Sequence, residues 1–220
     1  MPISLSIQLI NLLAALLLLI AFSMLSQRRI LSLIKLFALQ GLVLSLSTFV
    51  VAYSTGQHHL YYSAGLTLLL KVLVLPWLLH RLMRKLNVRW DVETLINIPT
   101  TMLVGIALVI FSFNLAAPIS QLSESITRGL IGIALASVLL SMLMMLTRRK
   151  AIPQVIGFLA MENGLFFAAT SATHGMPLVV ELGIALDVLV ATFIFGIFFF
   201  QIRETFDSLD ISHMEKLKDD

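Results

Sequence analysis

The sequence predicts an all-α polytopic integral membrane protein with seven transmembrane helices, its N-terminus outside and its C-terminus cytoplasmic. Three observations carry this. The chain is 59 % hydrophobic and 12 % charged, with a mean hydropathy of +0.98, which is outside the range of soluble domains. Seven apolar runs, each long enough to cross a hydrocarbon core of about 30 Å, occupy residues 5–25, 36–53, 61–80, 95–117, 129–147, 153–173 and 177–200. Thirteen of the fifteen basic residues fall on one side of those runs. They are Arg28, Arg29 and Lys35 after helix 1, Arg81, Arg84, Lys85 and Arg89 after helix 3, Arg148, Arg149 and Lys150 after helix 5, and Arg203, Lys216 and Lys218 after helix 7. The positive-inside rule puts that side in the cytoplasm. Basic residues arranged this way describe a membrane topology and not a nucleic-acid surface.

Helix 1 holds Leu, Ile and Ala, with Gln8 and Asn11 near its outer end. It is expected to be a wall or lipid-facing helix. It lacks a basic segment before its apolar core, so it does not read as a cleaved signal peptide. Helix 2 carries Gln40 and Gly41, then Ser45, Ser47 and Thr48, the small and hydroxyl residues that let membrane helices approach closely. Its start can slide back through Ile30–Ile34. A short outer loop at 54–62 follows, with Tyr61 and Tyr62 as interface anchors. Helix 3 contains Lys71 near its middle and Pro76 beyond it, where a proline frees a backbone carbonyl and kinks the helix. A lysine there has about 15 Å to cover to either surface, so it needs a partner, on this chain or on another subunit.

The inner loop at 80–93 looks amphipathic and interfacial, with Trp90 as an anchor, and is equally a docking surface for a cytoplasmic partner. Helix 4 has Pro99 early and Asn114 late. Glu124 and Arg128 sit four apart at the start of helix 5, an expected outer pair. Pro153 opens helix 6, where its missing N–H does no harm. Helices 1–3 and 5–7 form two units of one orientation flanking helix 4, the pattern a parallel duplication would leave.

Charges inside the runs mark the candidate site. Glu162 lies within GFLAMENG at 157–164, and Glu181 and Asp187 within VELGIALD at 180–187. An ion in hydrocarbon costs roughly 3 kcal/mol by insertion scales unless paired, wetted or neutralised. Glu162 stands about 14 Å above Pro153 and Asp187 about 15 Å inward from Pro177, so both reach the midplane on adjacent helices. Glu181 lies about 9 Å nearer the outer surface, on a different face. Carboxyl groups whose proton affinity depends on burial and on nearby charge suit proton transfer. Glu162, Asp187, Glu181 and Lys71 are therefore the expected proton relay. A chain with no cysteine cannot hold thiolate metal sites or iron–sulfur clusters. His58, His59, His80, His174 and His213 are too scattered for a metal site, and no catalytic triad or phosphate loop is present.

At Met161-Glu162-Asn163-Gly164, at VELGIALD, at RRKAIPQVIG (148–157) and at TFDSLDI (205–211) the chain resembles component E of hydrogenase-4, of the formate hydrogenlyase type. Its last three helices are similar to the small subunit K of respiratory complex I and its counterpart in sodium/proton antiporters. Asp187 matches that family's third-helix acid. In the second helix the family's glutamate position holds Leu159, and the acid stands one turn later at Glu162. The resemblance implies a division into an N-terminal four-helix region (1–117), a subunit K-like unit (118–203) and a cytoplasmic tail (204–220). It further implies a non-catalytic subunit of an oxidoreductase complex in a bacterial inner membrane, with no cofactor of its own. Expected partners are antiporter-like and other membrane-arm subunits, hydrogenase large and small subunits, and iron–sulfur proteins, so that the nickel–iron centre and clusters lie in partners. The alternative is the corresponding subunit of a sodium/proton antiporter or another complex without a nickel–iron centre.

Overall fold

The computed structural model describes residues 5–85, 92, 94–119, 125–173 and 183. Among them are six long apolar helices: α1 (Leu5–Leu25), α2 (Ile30–Thr55), α3 (58–85), α4 (Ile98–Ile119), α5 (Ser125–Thr147) and α6 (Ala151–Thr173). The protein is an all-α polytopic membrane protein. The predicted seventh helix at 177–200, with Glu181 and Asp187, lies outside the described residues apart from Gly183, as do the tail, Trp90 and Glu124.

In α1 apolarity does not distinguish the two faces; packing does. Ala14, Leu17, Ala21, Met24 and Leu25 are buried, while Leu5, Leu9, Leu12, Leu16 and Leu19 form an exposed stripe at helical spacing. That stripe is left uncovered by the described helices. α2 starts at Ile30, the early limit of the range the sequence allowed for it. Lys35 lies within the helix on an exposed face, so it did not mark the helix end. α2 is the centre of the bundle, packed against α1, α3 and α6. It stops at Gly56, whose φ of 68° is left-handed and whose N–H donates to Ala52 O.

The predicted outer loop at 54–62 contracts to the turn at Gly56 and Gln57, and Tyr61 and Tyr62 join α3. Tyr61 meets Phe49 edge-on, with centroids 5.3 Å apart. α3 is continuous but of mixed winding: α-helical over His58–Thr67, π-helical over Leu68–Val74, and α-helical over Leu75–Lys85. The Leu75 N–H reaches back five residues to Leu70 O. Pro76, which has no N–H to offer the preceding turn, follows directly. The expected perturbation thus takes the form of a widened turn.

α5 and α6 form a tight hairpin. A Cβ on Gly157 would sit 3.1 Å from Met145 N, and one on Gly164 3.1 Å from Val138 N, so glycine allows the two backbones to approach this closely. α1 lies against α5 and α2 against α6, so corresponding helices of the two expected units are neighbours.

The connections α1–α2, α3–α4 and α5–α6 meet at one end of the bundle. Val92 N–H donates to Arg28 O and Leu95 N–H to Thr147 O, each at 2.8 Å, and Thr94 pairs with Arg148. Arg148, read from sequence as one of the cytoplasmic surface charges, is only 1 % exposed. Its Nη2 donates to Met24 O at 3.2 Å and Leu25 O at 2.8 Å, closing the C-terminus of α1. A cation there also meets the negative end of the helix dipole. Burial lowers its pKa from the ordinary arginine value by desolvation.

Candidate functional site

The widened turn of α3 delivers Lys71 into the middle of the bundle. Lys71 is 1 % exposed, and its approach depends on Gly41 of α2: a Cβ there would lie 2.9 Å from Lys71 Cβ. α6 meets it with two consecutive polar residues. Lys71 Nζ lies 2.9 Å from Glu162 Oε1 and 2.8 Å from Asn163 Oδ1. Glu162 is 4 % exposed and Asn163 fully buried. The Phe166 ring, one turn along α6, stands 5.8 Å from Nζ, close enough for its electron-rich face to favour the cation.

Donor and acceptor chemistry fixes the orientation of what lies beyond. An ammonium can only donate, so Asn163 must turn its carbonyl to Lys71 and its amide group away. That amide Nδ2 donates to Gln40 Oε1 on α2 at 3.2 Å. Gln40 must therefore point its own Nε2 away from the cluster. That donor is buried and has no hydrogen-bond partner among the described residues. The result is one polar layer, Gln40–Asn163–Lys71–Glu162, that crosses α2, α6 and α3. Lys71 and Glu162 form a salt bridge, and among the described residues no cluster of His, Asp and Glu gathers to hold a metal.

Within a hydrocarbon surround this arrangement can keep a carboxylate charged, because the ammonium beside Oε1 supplies the counter-charge and the hydrogen bond that water would otherwise give. It can also accept a proton on Glu162 without stranding the ammonium, since Asn163 remains as its acceptor.

The uncharacterized protein Rv0085 of Mycobacterium tuberculosis (strain ATCC 25618 / H37Rv) is 30 % identical to this chain over 194 residues, 88 % of each sequence. The chain belongs to the Rv0085 family. It is also distantly homologous to hydrogenase-4 component E of Escherichia coli (strain K12) and of Shigella flexneri, at 24 % identity over 183 residues, covering 83 % of this chain and 84 % of theirs. No protein-family model matches it, and no solved structure matches it significantly.

In this member of the Rv0085 family the structure brings together two of the four expected relay residues, Lys71 and Glu162. The partner that sequence left open for Lys71 is on the same chain. Asp187 and Glu181 lie outside the described residues. Two members were missed: Asn163, read only as the neighbour of Glu162, and Gln40, read as a helix-packing residue. Both precede a glycine, and both are amides in otherwise apolar stretches. That shared pattern was the available signal.

Proposed function

We propose that this protein is a membrane-arm subunit of an energy-converting hydrogenase complex in a bacterial inner membrane, and that it relays protons through mid-membrane carboxylates. The observation that carries the reading is the fully buried Lys71–Glu162 pair. A carboxylate there is costly unless its charge is used. The distant homology to hydrogenase-4 component E supplies the kind of complex. Glu162 is the proton-loading group, Lys71 the charge that stabilises its ionised form, and Asn163 the acceptor that holds the ammonium while Glu162 carries a proton. Asp187 is the next relay acid and Glu181 an outer one. Redox chemistry belongs to partner subunits bearing nickel–iron and iron–sulfur centres, and this chain contributes no cofactor. The basic end of the bundle faces the cytoplasm.

The test is proton translocation by the reconstituted complex, measured with its partner-catalysed redox turnover. Glu162→Gln and Asp187→Asn keep size and polarity while removing the titratable proton. Both should assemble, keep redox turnover and lose proton translocation. Glu162→Asp should keep part of it, because a water spans the missing methylene. If Glu162→Gln and Asp187→Asn assemble and translocate protons at the parental rate, the acids are structural. Nickel and iron analysis of the co-purified complex separates the hydrogenase reading from the antiporter one.

A further inference from the structure

The buried polar residues of α2 and α3 are distributed unequally about Lys71. Toward the basic end, α2 buries Phe37, Ile34, Leu33 and Ile30, and α3 buries Leu75, Leu78, Leu79 and Leu82. Every one is apolar. Toward the opposite end, where α2 turns into α3 at Gly56, α3 buries Thr67 and Ser63, and α2 buries Ser45 and Thr48. Lys71, Thr67 and Ser63 are spaced by four residues, so they lie along one stripe of α3. Gly41, Ser45 and Thr48, spaced by four and three, form the facing stripe of α2.

Two hydrogen-bond observations point to a ligand between the stripes. Ser45 Oγ donates across the interface to Ala64 O at 2.8 Å, which sets it level with Ser63. Ser63 Oγ is buried and has no hydrogen-bond partner among the described residues, and the same is true of Gln40 Nε2 at the Lys71 end. A buried hydroxyl or amide without a partner is costly, and an ordered water is the usual remedy. Hydroxyls one turn apart stand about 6 Å from each other along the helix, too far for a direct bond but the span of one bridging water.

We infer that the α2–α3 interface on the side away from the basic end is a hydrated proton path, running from the Lys71–Glu162 pair over Thr67, Ser63, Ser45 and Thr48. The ligand is water, with a proton passing along it. This rests on the proton-relay reading and gives that relay its access to one membrane face. The Ser45 and Thr48 hydroxyls already donate to Ala64 O and Leu44 O, so they hold the waters as acceptors; the proton passes from water to water, each hop breaking one O–H bond and forming another, and no group is consumed. The apolar half toward the basic end keeps the two aqueous phases from joining through this interface.

This chain has no cysteine, so a single introduced cysteine reports without background once the chain is separated from its cysteine-bearing partners for the thiol count. Ser63→Cys, Thr67→Cys and Ser45→Cys are compared with Leu33→Cys and Leu79→Cys in the assembled complex in sealed vesicles. Each is exposed to silver ion, a thiol reagent close to water in size, and the thiols left are counted by maleimide labelling after unfolding. A thiol in apolar packing stays protonated and inert, while one beside water ionises and reacts. The path cysteines should therefore react at least about tenfold faster than the two controls, and faster from the side opposite the basic end. Path cysteines no more reactive than Leu33→Cys and Leu79→Cys would overturn the inference. Thr48→Cys, nearest the turn, gives a further reading should one of the others disturb packing. Silver reactivity does not depend on proton transport. A dry interface with transport abolished by Glu162→Gln would sink the path and spare the relay, and a wet one with transport unaffected would do the reverse.

Discussion

Replacing Lys71 by Met leaves Glu162 buried without its counter-ion, and the structure sets the scale of the effect. At the observed 2.9 Å, two unit charges attract by about 6 kcal/mol at an effective dielectric of about 20. The desolvation of both groups opposes that attraction. Breaking such a pair from one side costs about 3–5 kcal/mol, because the remaining charge keeps its desolvation penalty and loses its partner. Removing both charges in favour of apolar groups of similar volume is near neutral. Lys71→Met and Glu162→Met should each therefore destabilise strongly, whereas the double variant should recover most of the loss. For a chain of this size about 1 kcal/mol corresponds to roughly 2–4 °C in Tm, so each single variant should fall by about 10 °C. The assay is thermal unfolding in detergent across the full double-mutant cycle. A coupling of at least about 3 kcal/mol is expected. Additivity to within about 0.5 kcal/mol would show that the two residues do not interact, and the account of the site would fail with it.

Two further outcomes follow from the same structure. Arg148→Ala removes both side-chain bonds to the last carbonyls of α1 and leaves a void where a large buried side chain stood. It should cost about 2–4 kcal/mol, read as a lower unfolding midpoint, and Arg149→Ala next door should cost far less. Reporter fusions after His59, Arg84, Ser120, Lys150 and Gly175 should report alternately outside and inside, beginning outside; two adjacent fusions on the same side would refute the topology.

The parts of this molecule that sequence revealed are those where a local rule is broken conspicuously. A charge in an apolar run is such a break, and Lys71 and Glu162 stood out for that reason. Their pairing did not, because 91 residues separate them. Hairpin logic brings together neighbours along the chain, so it joined Glu162 to Asp187, while the lysine comes from the docking of the α2–α3 hairpin onto α6. Arg148 was misread in the opposite way. A charge at the end of an apolar run is ordinarily solvated, and only the arrival of the α1 carbonyls gives this one a reason to be buried. Pro76 announced a disturbance in α3 but not its form. Whether the chain kinks or widens is decided by what the neighbouring turn must deliver, and here that is Lys71.

Gly41 tests whether the position of Lys71, and not only its charge, holds the site together. The Cβ that alanine would add stands 2.9 Å from Lys71 Cβ and 3.4 Å from the Lys71 carbonyl carbon and oxygen. None of these atoms is the end of a flexible chain; each is fixed by the α3 backbone, so relief requires α2 and α3 to part. Overpacking of this kind costs about 1–3 kcal/mol in its own right. Parting the helices should also draw Nζ away from Glu162 Oε1 and Asn163 Oδ1, two charge-assisted bonds at 2.9 and 2.8 Å that weaken as they lengthen. The two contributions separate by background. In the Lys71→Met, Glu162→Met double variant the steric cost of Gly41→Ala persists, because methionine has the same Cβ, but no ion pair remains to be strained. The loss in unfolding midpoint caused by Gly41→Ala should therefore be larger in the parent than in that background. An equal loss in both would mean that Gly41 serves helix packing alone, and that the Lys71–Glu162 contact tolerates displacement of α3.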